Sequence, residues 1–306
     1  MSPTDEHGLR SGLAIVDKPA GWTSHDVVGR LRRSLKLRRV GHAGTLDPMA
    51  TGVLVCAFGR GTRLLGHLAK GDKDYSATIR LGWSTVTDDA TGEPVSRADP
   101  AAVEEADEHR IRSAMSGLSG EIWQRPSSVS AIKVDGRRAY RRVRAGEEIE
   151  LAARQVTVAR FELGEIRRDQ GVIDLDVSVT CGSGTYVRAL ARDLGEGLGL
   201  GGHLTALRRT RVGTFGLPLA VQPDEVDSST GRGIVSMEDA ARSVFPTWTV
   251  TGDQGRAVRS GFQVEWAGPN ADDVVAIFDE AGSLLALARE LEGRAAYAAV
   301  LAEPNG

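Results

Sequence analysis

Between Arg39 and Gly52 the chain reads Arg-Val-Gly-His-Ala-Gly-Thr-Leu-Asp-Pro-Met-Ala-Thr-Gly, with three glycines, one proline, one carboxylate and one imidazole in fourteen residues. Glycine opens positive φ and lets a backbone approach another group closely. Pro48 fixes its own φ and biases Asp47 towards an extended conformation. Apolar Val53-Leu54-Val55 follows at once and re-enters the core. The pattern predicts a rigid, irregular loop that presents the Asp47 side chain at a fixed place. Asp-Pro alone is a turn starter; the residues around it are what admit a second reading, as a reactive carboxylate.

Composition narrows the class. With 306 residues, 41% of them hydrophobic and 26% charged, the chain suits one large or two unequal globular domains with a real core. No apolar run approaches about eighteen residues, and Met1 to Leu9 has no apolar signal core. We therefore expect neither a membrane span nor a secretory leader, and a cytoplasmic location. Cys56 and Cys181 stand far apart with no Cys-x-x-Cys spacing, which argues against structural zinc and a disulfide framework. The net charge of −3 is uneven: from Thr247 onward there are four Lys/Arg against nine Asp/Glu, and before it 34 against 32. The earlier positive charge is gathered in patches, and the local field is what phosphates feel.

Taken in order, Leu13-Ala14-Ile15-Val16 reads as a strand ended by Asp17-Lys18-Pro19-Ala20-Gly21. Thr23 or Ser24 then offers an N-cap to a helix with Val27, Val28, Leu31 and Leu35 on one face. Arg30, Arg32, Arg33, Lys36, Arg38 and Arg39 follow with no acid among them. They form either a solvated face or a phosphate-facing one. Thr62 is read as the cap of a short helix through Leu64, Leu65 and Leu68. Tyr75, Ala77, Ile79 and Leu81 alternate with polar residues as a half-buried strand. Tyr75 at its start is a core tyrosine with a wet hydroxyl or a stacking platform.

Thr85 to Ala98 is read as a loop, and Pro100 to Leu118 as a helix without chemistry. Gln124 to Gly146 carries Arg125, Lys133, Arg137, Arg138, Arg141, Arg142 and Arg144 against Asp135, with Tyr140 among them. It predicts a mobile loop running into a helix and able to close over a phosphate backbone. Val156–Leu163 and Val172–Thr180 pair as strands across Arg168-Asp169-Gln170-Gly171. The following Gly182-Ser183-Gly184 fits neither phosphate-loop pattern, which excludes a nucleotide-dependent kinase or dehydrogenase. Tyr186 and Arg188 share a face if still extended. A cation at a helix start opposes the dipole, so Arg188 calls for a carboxylate partner. His203 is read as structural and Cys181 as a small buried residue. Ser236 to Phe245 is a short helix, and Pro246 a boundary. The rest is strand-like, with turns at Asp253-Gln254-Gly255 and Asp279-Glu280-Ala281-Gly282.

The Gly41–Gly52 stretch resembles the catalytic-aspartate motif of the bacterial tRNA pseudouridine-55 synthases, the TruB family. Lys18-Pro19 with Gly21 and Thr23-Ser24 is similar to the family's first motif, and Gly202 to Phe215 to its last; the resemblance spans Leu13 to Phe215. It implies an α/β (α+β) catalytic domain over 1–245, built on a mixed, mainly antiparallel sheet with an RNA-gripping thumb at about 124–146. A small β-rich, PUA-like domain over 246–306 would follow, its acidity arguing against strong phosphate binding. The implied reaction isomerises uridine 55 in the T loop of tRNA, with the base flipped out of its stack.

In that reading Asp47 acts as nucleophile or base, and Arg188 is its partner. Burial raises a carboxyl pKa and an adjacent cation lowers it by about 1–3 units, so a permanently charged guanidinium would keep Asp47 ionised. Tyr75 stacks on the uracil and is a candidate for C5 proton removal. Tyr186 and Leu207 complete the pocket, and His42 fills the space the base leaves. The isomerisation needs no cofactor and no metal. The expected partner is the tRNA T arm, with no membrane, no obligate protein partner and a monomeric chain. Val129 departs from the family by standing where many relatives carry tyrosine before Ser-Ala. The rivals are an RNA-guided or rRNA-directed synthase, and a tRNA-folding chaperone with incidental activity.

Overall fold

Alternation at every second residue builds most of the sheet. Lys73–Leu81 buries Tyr75, Ala77, Ile79 and Leu81, and Val172–Cys181 buries Ile173, Leu175, Val177 and Val179. Their antiparallel register sets Ala77 opposite Val177 and Ile79 opposite Leu175, so both sets face one core. The computed structural model describes residues 10–127, 151–271 and 273–302 in full, and only the backbone of 4–5, 8–9, 133–134 and 137–138. The side chains of the basic stretch from Lys133 to Arg144, and Val129, lie outside the described residues.

Ten strands form the main sheet. Its order runs Ile234–Val235, Gly12–Lys18, Thr51–Phe58, Gly202–Val212, Lys73–Leu81, Val172–Cys181, Arg154–Asp169, Gly120–Gln124. Val40–His42 pairs with Thr51–Phe58, and Phe215–Gly216 with Gly202–Val212. Within this sheet, among the described residues, all the strand pairs are antiparallel except one, where Arg208 and Arg209 run parallel to Thr51 and Gly52. The mixed, mainly antiparallel sheet is thus as expected. Within these strands Leu13–Val16 and Val53–Phe58 read as unbroken apolar runs because both faces are covered. Ala14, Val16, Leu54 and Cys56 face one core with the helix Ser24–Ser34, while Leu13, Ile15, Val53 and Val55 face another. A second sheet of four strands follows: Thr247–Thr249, Val275–Phe278, Leu284–Leu291 and Arg294–Val300. Its Phe278 and Leu284, with Leu301 just past the last strand, share the second core with Leu64, Leu68 and Met237.

Four local readings are corrected. Thr62 caps no helix: its hydroxyl donates back to the Gly59 carbonyl within the 3-10 turn Gly59–Leu64, and Leu65–Leu68 continues as one α-turn. Pro100–Leu118 is two helices, Pro100–Glu105 and Glu108–Ser116, because Asp107 accepts from Arg110 N at 2.8 Å and starts the second. Within Thr85–Ala98, Pro94–Arg97 pairs antiparallel with Trp83–Thr85. Asp253-Gln254-Gly255 is no strand turn but the first turn of the helix Gly252–Arg259, where Gln254 Oε1 accepts from Thr251 N at 3.3 Å. Among the described residues no helix is long and apolar enough to cross a membrane, and no His/Cys/Asp/Glu group could hold a metal ion.

Candidate active site

The Asp47 loop is held from outside by contacts to its main chain. Ser24 Oγ accepts from Leu46 N at 2.9 Å, and Gly21 N donates to Pro48 O at 2.8 Å. Ser24 is placed to do so because Thr23 caps its helix with Asp26 in a reciprocal pair. Lys18, fully buried, donates to the carbonyls of Pro19, Trp22 and Pro48 at 2.9, 2.7 and 3.3 Å. Arg209, 1% exposed, donates to Val53 O at 2.7 Å and Gly44 O at 3.2 Å, bridging both ends of the loop. Gly44 and Gly52 have φ of +111° and +101°. A Cβ on Gly52 would stand 2.1 Å from Arg209 O, where the parallel strands meet.

Two predictions arise here. Gly52→Ala combines positive φ with that clash, and is expected to destabilise the chain by about 2–4 kcal/mol, measured by urea unfolding. Lys18 supplies a pH signature. Burial pushes its ammonium from 10.5 down to about 8, with Asp47 pulling the other way. The folded chain then binds this proton less tightly than the unfolded one. Stability from this group is least below pH 8 and rises across about 8 to 10.5. Lys18→Met is expected to flatten that rise in urea midpoints taken at either end of the window; equal slopes in both proteins would contradict it.

On the loop so fixed, Asp47 meets a fork. Arg188 Nε donates to Asp47 Oδ2 at 2.9 Å and Nη2 to Oδ1 at 3.2 Å. The arginine side chain is 4% exposed and the aspartate 35%, so the guanidinium is walled in while the acid can be reached. Arg188 is the second residue of the helix Val187–Leu198, and Tyr186 is its N-cap. The extended reading of these two is therefore corrected, though both still face the same space. Arg188 Nη1 also donates to Thr87 O at 2.8 Å and lies 3.8 Å from Asp89 Oδ2. Asp89 is held by Thr87 and Thr91 hydroxyls at 2.7 and 2.6 Å. The segment Thr85–Ala98, read from the sequence only as a loop, thus backs the arginine.

Asp47, Tyr75, Tyr186, Arg188 and Leu207 all line one cavity of about 270 Å³. Its other walls include Gly44, Lys73, Gly184 and Arg209. Tyr75 is 9% exposed. Burial raises its phenol pKa, opposed by the Arg209 guanidinium that hydrogen-bonds it, so the resting ring is neutral. Lys73 donates to Ala69 O and Gly71 O, both at 2.6 Å. His42 lies on Val40–His42 outside the lining, its ring 6.5 Å edge-on from His25; burial lowers its pKa. His203 is buried with Nδ1 3.1 Å from Trp83 O, a structural position. Cys181 is buried, which pushes its thiol up to about 11. Lys18, Asp89 and Arg209 are not singled out by the sequence as site residues; the only signal is that Lys18 and Arg209 stand inside the first and last motifs.

Two family models match in tandem, one described as TruB family pseudouridylate synthase (N terminal domain) over residues 32–187 and one as tRNA pseudouridylate synthase B C-terminal domain over 188–233. The chain belongs to the TruB family of pseudouridylate synthases. Among its relatives, tRNA pseudouridine synthase B of Cutibacterium acnes is 56% identical over 281 residues, covering 92% of this chain and 94% of that one. The protein of the same name from Streptomyces coelicolor is 51% identical, covering 97% and 99%. A crystal structure of a Cbf5-Nop10-Gar1 complex superposes with a TM-score of 0.73 at 26% identity, covering 96% of this chain and 85% of that one. In this TruB-family chain the loop Gly41–Gly52 stands against the helix start that carries Arg188.

Proposed function

We propose that this chain isomerises uridine 55 in the T loop of tRNA to pseudouridine. One observation carries the reading: a reachable carboxylate, gripped by a buried guanidinium, faces a cavity in a TruB-family chain. The reaction breaks the N1–C1′ bond, turns the uracil and joins C5 to C1′; the C5 proton is lost and N1 gains one. The target base must leave its stack to be reached. The cavity is at the small end of ligand sites, suited to one everted nucleoside.

Each wall has a role in this account. Asp47 attacks the sugar or takes a proton from it. Arg188 orients the acid, since its fork matches a carboxylate better than an ammonium would. Neutral Tyr75 stacks on the uracil, with Tyr186 and Leu207 closing the slot, and His42 occupies the gap in the T loop. Of the six basic residues between Arg30 and Arg39, Arg30 pairs with Asp224 and Arg32 donates to Val40 O at 3.1 Å. Arg33, Lys36, Arg38 and Arg39 are exposed and suit phosphate contacts. The catalytic unit is residues 1–245, and 246–306 forms a second, acidic module. The protein acts as a monomer, without a guide RNA or protein partner.

The names borne by the relatives favour tRNA over ribosomal RNA. Pseudouridine mapping in total RNA from cells with and without this protein tests the choice. Loss confined to tRNA position 55 is expected; loss in ribosomal RNA, or at sites scattered as a guide would scatter them, supports the rival.

A further inference from the structure

Gln124 and Arg154 are Cα partners at the end of one strand and the start of its neighbour in the sheet, so they stand at the two roots of the 125–153 segment. Both reach the same short loop. The Gln124 side chain is buried, accepts from Tyr186 N at 2.8 Å and donates to Tyr186 O at 3.2 Å. That two-bond ring needs one donor and one acceptor on a planar group, which an amide supplies and a carboxylate does not. Arg154 Nη2 donates to Gly184 O at 2.7 Å, and its guanidinium carbon lies 4.9 Å from the Tyr186 ring centroid. A third tie joins the same region, from Arg192 Nη2 to Arg125 O at 2.7 Å.

The loop they hold is the cavity wall. Gly184 and Tyr186 line it, and Tyr186 caps the helix whose second residue is Arg188. Tyr186 contributes no side-chain cap of its own, so the loop depends on its neighbours for its shape. We propose that Gln124 and Arg154 are positioning residues: they set the Gly184–Tyr186 wall and, through the helix start, the Arg188 fork on Asp47. The role rests on the reading of this cavity as the uridine slot.

The test uses full-length protein and a tRNA transcript carrying 5-tritiated uridine, with single-turnover tritium release and tRNA dissociation constants measured separately. Arg154→Ala and Gln124→Glu are expected to slow release roughly ten- to a hundredfold, the scale of a misplaced reacting group. The dissociation constants should stay within about threefold. Arg154→Lys, which keeps a cation over the ring without the fork, should recover part of the rate. A spectroscopic readout accompanies this. The chain has four tyrosines, and in 3-fluorotyrosine protein the ¹⁹F resonance that disappears in Tyr186→Phe should shift in each variant while that of Tyr75 stays. An unchanged rate, a loss wholly in the dissociation constant, or an unmoved Tyr186 resonance overturns the proposal. If Arg154→Ala does not fold, Arg154→Lys and Gln124→Glu decide it. Should wild-type protein release no tritium, the uridine reading fails, whereas the fluorine shift still reports whether the coupling exists.

Discussion

Asp47→Asn is expected to lower tritium release from 5-labelled uridine in tRNA by about 10⁴-fold, the upper range for removing a group that moves a proton or forms a bond. Binding of tRNA should persist. Asparagine keeps the volume and one acceptor oxygen for Arg188, so the loop held by Lys18, Ser24 and Arg209 has no cause to move. What it lacks is the negative charge. An RNA-folding chaperone with incidental activity would show the reverse pattern, with folding activity intact and unrelated to residue 47. Release by the asparagine variant at the wild-type rate would remove Asp47 from the chemistry.

Arg188→Met is expected to slow the same reaction by about 10²–10³-fold. Truncating one partner of a buried, hydrogen-bonded charge pair costs about 2–5 kcal/mol, and each 1.4 kcal/mol is a factor of about ten. Two groups lose their donor at once, the Asp47 carboxylate and the Thr87 carbonyl, and Asp89 loses a cation 3.8 Å away. Asp47 then faces the substrate without its counter-charge, and Asp89 is left buried without a cation. Arg188→Lys restores the charge but not the two parallel bonds, so its rate should fall between those of Arg188→Met and wild type. Single-turnover rates with saturating tRNA check the order. A methionine variant as fast as wild type would mean that the fork is structural.

The strands were legible because their reason is local. Tyr75, Ala77, Ile79 and Leu81 alternate, and alternation is all a half-buried strand needs. The helix Gly252–Arg259 was not, because Gly255 and a single buried valine, Val258, give little periodicity, and only the Thr251–Gln254 cap marks its start. The site divides in the same way. Glycines around Asp-Pro announced a presented carboxylate, and Gly44 and Gly52 do take positive φ. Arg188 stands 141 residues from Asp47. Its need for an acid followed from its place at a helix start, but which acid followed only from the family resemblance. Lys18, Gln124, Arg154 and Arg209 act chiefly through main-chain groups, and Asp89 through the Arg188 guanidinium; strand order and the fold bring these together, and no spacing in the sequence encodes that.

The chemistry of Asp47 depends on where the target uridine sits. A crystal structure of the Asp47→Asn protein with a T-arm stem-loop answers that directly. The predicted result is the position-55 base turned out of its loop, lying on the Tyr75 ring, with C1′ about 3–3.5 Å from the residue-47 side chain. A position-55 base still stacked within the RNA, or everted onto a surface away from Arg188, would contradict it.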